Sequence, residues 1–189
     1  MEQSIKLPEH DAEIAPSFNQ QEPEGNATST RDGRLRGNII HYYLERLSTD
    51  KQTSNTALLT EAAAQHSIDL SEPRLESWLT EARKTIEAFP EFFDPDNYNE
   101  SFSELPIIYE HQGKRVYGII DKVIITTDEI ILLDYKTHRG SSSDHSELAQ
   151  TFKKQLAYYT EGIKQLWPDK QTKCGLLFTQ RNQIIWLDP

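Results

Sequence analysis

Apolar positions along the 189-residue chain change their spacing twice. Residues 1–30 are polar, contain Pro and Gln and show no periodicity, which predicts a flexible lead-in. From about Gly37, "NIIHYYLERL" carries apolar residues at helical spacing and predicts a first helix. Polar "STDKQTSN" interrupts it, and Asn55 is placed to cap a second helix across "TALLTEAAAQHSI". After Ser71, "EPRLESWLTEARKTIEAF" puts Pro73 in a first turn and Leu75, Leu79 and Ala82 on one stripe, a third helix. "PEFFDPDNYNESF" reads as a loop.

From Glu104 the spacing becomes that of strands: "ELPIIYEHQ", "KRVYGIIDKVIIT" and "EIILLDYKT", separated by Gln112-Gly113 and Thr127-Asp128. "HRGSSSDHS" is a polar link. A long helix follows over "ELAQTFKKQLAYYTEGIKQLW", with Phe152, Leu156, Tyr159, Ile163 and Leu166 on one stripe and Pro168 as its stop. Two short strands, "KCGLLFTQ" and "QIIWL", turn at Arg181-Asn182. Leading helices, a β-meander, a crossover helix and further strands predict an α/β fold with a central mixed sheet flanked by helices. The expected organisation is an acidic lead-in over 1–30 and one domain over 31–189, helical over 31–92 and α/β over 104–189.

Within the apolar strands, three charged residues are out of place: Asp121, Asp134 and Lys136. A two-residue turn at Thr127-Asp128 would set Asp121 opposite Asp134, about 4.5–5.5 Å apart at Cβ, where like charges repel. Alternation puts Lys136 on the face of Asp134. Two such carboxylates either share a proton or hold a hard divalent cation, and a lysine two residues away favours the cation. The plainer alternative is three surface charges on an edge strand. The apolar flanks "GIID" and "IILLDYKT" weigh against it, because they describe covered, central strands.

Composition narrows the chemistry. The chain is 36% hydrophobic and 10% aromatic, and no apolar run is long enough to span a membrane. The start lacks the pattern of a secretory signal. The single cysteine, Cys174, excludes an internal disulfide and a four-cysteine zinc or iron–sulfur site, so a reducing cytoplasm is expected. A net charge of −10 argues against indiscriminate coating of nucleic acid. The charge is uneven, though: residues 1–30 hold six acids against Lys6, whereas "RDGRLRGNIIHYYLER" has four arginines against Asp32 and Glu45.

"GIIDKV", a strand ending "LLDYKT", a helix with "QLAYY" and the upstream "GNIIHYYLE" together resemble the PD-(D/E)XK nucleases of the RecB type. The nearest resemblance is to the C-terminal nuclease domains of AddA and RecB helicase–nuclease subunits, and it covers roughly residues 36–187. It implies a restriction-endonuclease-like sheet and a Mg²⁺- or Mn²⁺-dependent deoxyribonuclease. His41, Asp121 and Asp134 would hold the metal, with the Tyr135 carbonyl as an additional ligand. Lys136 would support the attacking water, and Gln155 and Tyr159 match the family's Q-x-x-x-Y element. Glu45, one turn after His41, is a further candidate for the same site. Tyr158, Lys153, Lys154, His138 and Arg139 are neighbours to be placed.

The resemblance further implies exonuclease action on single-stranded DNA, 5′-phosphate products and a helicase partner in double-strand-break repair and recombination. No G-x-x-x-x-G-K-[ST] phosphate loop occurs, so the chain carries no helicase motor, which suggests an excised domain of a larger helicase or a stand-alone nuclease. The four cysteines of the iron–sulfur branch are missing, which points to the AddA-like side. The competing expectation is a nuclease-derived domain that binds DNA or a partner protein without cutting. An RNA nuclease or restriction-type enzyme on the same scaffold is a third.

Overall fold

A computed structural model of the chain describes residues 27–137 and 145–187. The lead-in before residue 27 lies outside the described residues, as do His138, Arg139 and the serine run that follows. Helices α1 (Ala27–Thr49), α2 (Asn55–Gln65), α3 (Arg74–Ala88) and α4 (Pro90–Phe93) come first. Strands β1 (Glu100–His111), β2 (Lys114–Ile125) and β3 (Glu129–Lys136) follow, then α5 (His145–Leu166), β4 (Gln171–Phe178) and β5 (Gln183–Leu187). The five strands form one sheet in sequence order. Only β3 and β4 are parallel, joined by the α5 crossover; the other neighbours are antiparallel. This is the mixed sheet with flanking helices that the sequence predicts.

The two sheet faces are covered differently. One receives α1–α4, where Ile39, Ile40, Tyr43, Leu44 and Leu47 meet Leu75, Trp78, Phe93 and, from the sheet, Ile124, Ile131, Leu133, Tyr135 and Leu177. The other receives α5, whose Leu156, Tyr159 and Ile163 pack on Ile107, Tyr109, Ile120, Leu132 and Phe178. Strand β3 is buried along its middle on both faces, which explains its unbroken apolar run. No helix among the described residues is long and apolar enough to cross a membrane.

Several local expectations are corrected. Helix α1 begins at Ala27, inside the stretch expected to be lead-in and well before Gly37. Ser54, not Asn55, caps α2, its hydroxyl accepting from the Ala57 N–H. The expected loop after α3 holds the one-turn α4, a 3-10 turn at Pro95–Asn97 and the start of β1. Burial of Phe92 and Phe93 under the sheet fixes α4, a tertiary effect that no periodicity announces. Leu166, expected on the packed stripe, is exposed at the end of α5.

The turns set the register. Gln112 and Gly113 both have positive φ, 51° and 77°, which matches the twist of a two-residue hairpin. At the second turn, Lys122 faces Leu133 and Ile125 faces Ile130, the expected alignment. The ladder ends there, one step before Asp121 and Asp134.

Candidate functional site

The site sits where β2 and β3 part. Beyond Lys122 and Leu133 the two strands no longer exchange backbone hydrogen bonds, so amides that would have paired need other acceptors. Two side chains supply them. The Asp121 carboxylate accepts the Tyr135 N–H at 2.6 Å. The Tyr159 hydroxyl accepts from the Gln155 amide at 2.8 Å and from the Ile119 N–H. The Q-x-x-x-Y element of α5 therefore closes the split between the strands from one face.

The alternation of side chains also breaks at this level. Near the first turn, Ile107 and Tyr109 of β1 and Val116 and Ile120 of β2 face α5. Past Glu104 and Asp121, it is Phe102, Val123 and Ile125 that do. Each strand has slipped one residue out of phase, and Glu104, at φ 51°, carries the distortion on β1. The slip is matched on both strands, so the β1–β2 register continues unbroken on either side. Asp121 thereby turns toward His41 of α1 while staying close enough to Asp134 and Lys136 to feel their charge. The two acids are not the opposed ladder pair that simple alternation predicts.

Helix α1 meets Asp121 there. The His41 Nδ1 lies 3.5 Å from one Asp121 oxygen and 3.6 Å from a Glu104 oxygen. Gly37, one turn earlier, makes the approach feasible: a Cβ there would sit 3.3 Å from the Thr137 hydroxyl at the end of β3. Arg36 adds an ion pair to Glu81 of α3, which also accepts from the Thr179 hydroxyl. The "GNIIHYYLE" motif thus reads as a close-approach glycine followed by a site histidine.

Ligand atoms of His41, Glu104 and Asp121 all lie within 4.8 Å of one another. Donors about 2.1 Å from an octahedral ion and at right angles to each other are roughly 3 Å apart, somewhat less than the 3.5 and 3.6 Å that separate His41 from the two carboxylates. One imidazole and two carboxylates form a hard donor set that suits Mg²⁺ and, with its nitrogen, Mn²⁺. The Tyr135 hydroxyl, buried and without a hydrogen-bond partner, feels the charge of both carboxylates. The residues present therefore fit a divalent cation. Cys174 is buried elsewhere, against Thr160, and takes no part.

Burial alone would depress the His41 pKa, but Asp121 and Glu104 outweigh it and push it up to about 10. Burial would raise the Asp121 carboxyl, and here His41 and the Tyr135 N–H outweigh it and hold the group below its usual range. Asp134 goes the other way: burial raises it, reinforced by Asp121, and the partnership with Lys136 does not fully compensate. The Lys136 ammonium touches an Asp134 oxygen at 2.5 Å and lies 3.5 Å above the Phe152 ring. The backbone carbonyl of Lys136 accepts from Thr179, so the lysine is fixed at both ends.

Of the sequence-predicted residues, His41 and Asp121 share the three-donor cluster, and Asp134 and Lys136 form an ion pair beside it. Strand geometry turns the Tyr135 carbonyl to the same gap as its N–H. Glu45 is half-buried, its pKa raised by burial and by Glu104. Lys153 and Lys154 are exposed. Tyr158 is turned outward, its carbonyl bonded to the Tyr109 hydroxyl.

Glu104 escapes the sequence reading. A signal for it exists, because the Gln112-Gly113 turn aligns Glu104 with Asp121 just as the second turn aligns Asp134. Its backward φ does not announce itself in a glutamate.

The PD-(D/E)XK nuclease superfamily model matches residues 18–185. Among curated proteins, the A subunit of an ATP-dependent helicase/nuclease from Anoxybacillus flavithermus is 26% identical over 153 residues, 73% of this chain and 12% of that protein. Its namesake from Clostridium acetobutylicum is 25% identical over 130 residues, 69% of this chain and 10% of that protein. This chain thus spans only about a tenth of those relatives. A candidate exonuclease from Eubacterium rectale superposes with TM-score 0.53 at 15% identity, covering 89% of this chain and 61% of that one, a likeness of fold.

Proposed function

Because this chain belongs to the PD-(D/E)XK nuclease superfamily, we propose that it hydrolyses phosphodiester bonds of single-stranded DNA as a Mg²⁺- or Mn²⁺-dependent exonuclease. In this reading it is the nuclease part of a cytoplasmic helicase–nuclease that acts in double-strand-break repair and recombination. The observation that carries the proposal is the convergence of His41, Glu104 and Asp121 beside the Asp134–Lys136 ion pair.

His41, Asp121 and Asp134 would hold the cation, joined by Glu104 and by the Tyr135 carbonyl. Bound there, the cation would polarise the scissile phosphate and acidify a water. Asp121, kept ionised by its neighbours, supplies negative charge at neutral pH. Lys136 presents an ammonium to the attacking oxygen and to the charge that develops on the phosphoryl group. Water adds to phosphorus as the bond to the 3′ oxygen breaks, leaving a 5′-phosphate on one fragment and a 3′-hydroxyl on the other. Gln155 and Tyr159 act through the backbone: bonded to the Ile119 N–H, they brace the β2–β3 gap from the α5 face.

The test is digestion of end-labelled single-stranded DNA in Mg²⁺ and in Mn²⁺, with K136M as the control. Cleavage that EDTA and K136M both abolish is expected. Binding without cleavage in either metal would return the chain to the non-catalytic, DNA- or partner-binding alternative. Full activity in excess EDTA would end the metal scheme.

A further inference from the structure

Helices α1–α4 cover their face of the sheet only as far as the metal-ligand cluster. Among the described residues, β1 and β2 beyond Glu104, towards the first turn, are packed on the α5 side alone: Ile107, Tyr109 and Val116 are buried there, while Pro106, Ile108, Glu110, Arg115 and Tyr117 are exposed on the other side. On the uncovered side, Pro106 lies beside Ile119 and Ile108 beside Tyr117. Ile108 is 71% exposed and Tyr117 44%. A solvent-facing antiparallel strand ordinarily alternates to polar residues on that side, and an apolar surface left bare marks a binding site. Arg115, also exposed, lies two residues from Tyr117 on the same face.

We propose that this bare strip is a stacking platform for the bases of the strand being cleaved, with Tyr117 as the stacking ring and Arg115 meeting the backbone. The inference rests on the nuclease reading and says where on the sheet its single-stranded substrate lies. Three features select bases as the occupant. The strip starts at the level of Glu104 and Asp121, and Tyr117, four residues from Asp121 along β2, is about 13 Å away. A strand lying on it therefore runs directly into the metal cluster. An aromatic ring and a guanidinium two residues apart on one face, about 7 Å, offer one contact for a base and one for its phosphate. Finally, a chain of net charge −10 gains little from attraction to phosphates in general, so stacking has to provide most of the affinity. Paired bases in a duplex hide their faces and cannot use it.

The experiment compares wild type, Y117A and Y117F in EDTA, where the strand cannot be cut. Fluorescence anisotropy of a labelled oligonucleotide and quenching of a 2-aminopurine base within it are the readouts. Metal-dependent hydrolysis of bis(4-nitrophenyl) phosphate, which is too small to reach the strip, is followed in parallel. Y117A should weaken oligonucleotide binding by about 5- to 100-fold and abolish the quench. Y117F should keep both, and small-ester hydrolysis should match wild type in each variant. Unchanged oligonucleotide binding by Y117A, or no binding by wild type, would overturn the platform and leave the strip to a protein partner. Loss of small-ester hydrolysis in Y117A would overturn it too, as the mark of a structural role. If wild type binds and Y117A does not, while neither hydrolyses anything, the platform stands and the nuclease reading falls.

Discussion

Gly118 offers the sharpest test of how the site is built. A Cβ added at this position would lie 2.6 Å from a ring carbon of Tyr159, far inside the 3.5–4.0 Å of a comfortable carbon contact. The ring has little room to retreat. Tyr159 is only 8% exposed, and its hydroxyl is held by Gln155 and by the Ile119 N–H. A methyl group forced into such a packed place costs about 1–3 kcal/mol. If the hydroxyl is also driven off, a buried amide loses its acceptor, at about 1–3 kcal/mol more. For a domain of this size each kcal/mol lowers the melting temperature by about 2–4 °C. G118A should therefore melt at least several degrees below wild type. Activity measured well below that temperature should fall more than the unfolded fraction explains, since the β2–β3 gap has been re-shaped. Adding Y159L, which vacates the space, should restore part of the stability and none of the activity. Calorimetry and oligonucleotide digestion on the three variants decide it. A G118A protein that melts and cuts like wild type would show that Tyr159 does not brace the gap.

Other substitutions probe separate parts of the molecule. E104Q should weaken Mn²⁺ binding, read as a smaller metal-induced rise in melting temperature, without lowering the stability of the metal-free protein by more than about 1 kcal/mol. D121N should remove metal-dependent stabilisation and cleavage together, while its remaining carbonyl oxygen still accepts the Tyr135 N–H and preserves the fold. Lys122, fully buried against Phe93 and Tyr98 with one bond to Ser101, has its pKa lowered by burial to about 8. Its charge then opposes folding below pH 8, and that penalty disappears as pH rises towards the ordinary lysine value. K122M should be the more stable protein in urea at pH 7, and its advantage should shrink by on the order of 3 kcal/mol between about pH 8 and 10.5. An advantage that stays constant across that range would refute the assignment of the cost to charge.

Much of this site is legible in the sequence because short turns fix long registers. Thr127-Asp128 suffices to align Ile125 with Ile130, and with them the level of Asp121 and Asp134. The helix periods of "NIIHYYLERL" and "RLESWLTEARKTI" give the layers that bury them. What the sequence does not disclose is the matched slip at Glu104 and Asp121, since both strands stay in register while their side chains change sides. Strand period predicts two acids facing one another, and the structure turns one of them toward His41 instead. The first third of β1 is equally hidden. Glu100, Ser101 and Phe102 look like loop residues and are strand only because β2 offers them a backbone to pair with.

Strand β3 is zipped to β4 along its whole length, as far as Lys136 against Phe178, while its other flank is released from β2 beyond Leu133. Asp134 and Lys136 are therefore mounted on a rail that is fastened on one side and open on the other. Precision comes from the fastened edge, and access from the open one. The Asp134–Lys136 pair is thus ordered without any separate closing movement of the strand itself, so its amides on the β4 side should exchange with solvent only when the whole domain opens.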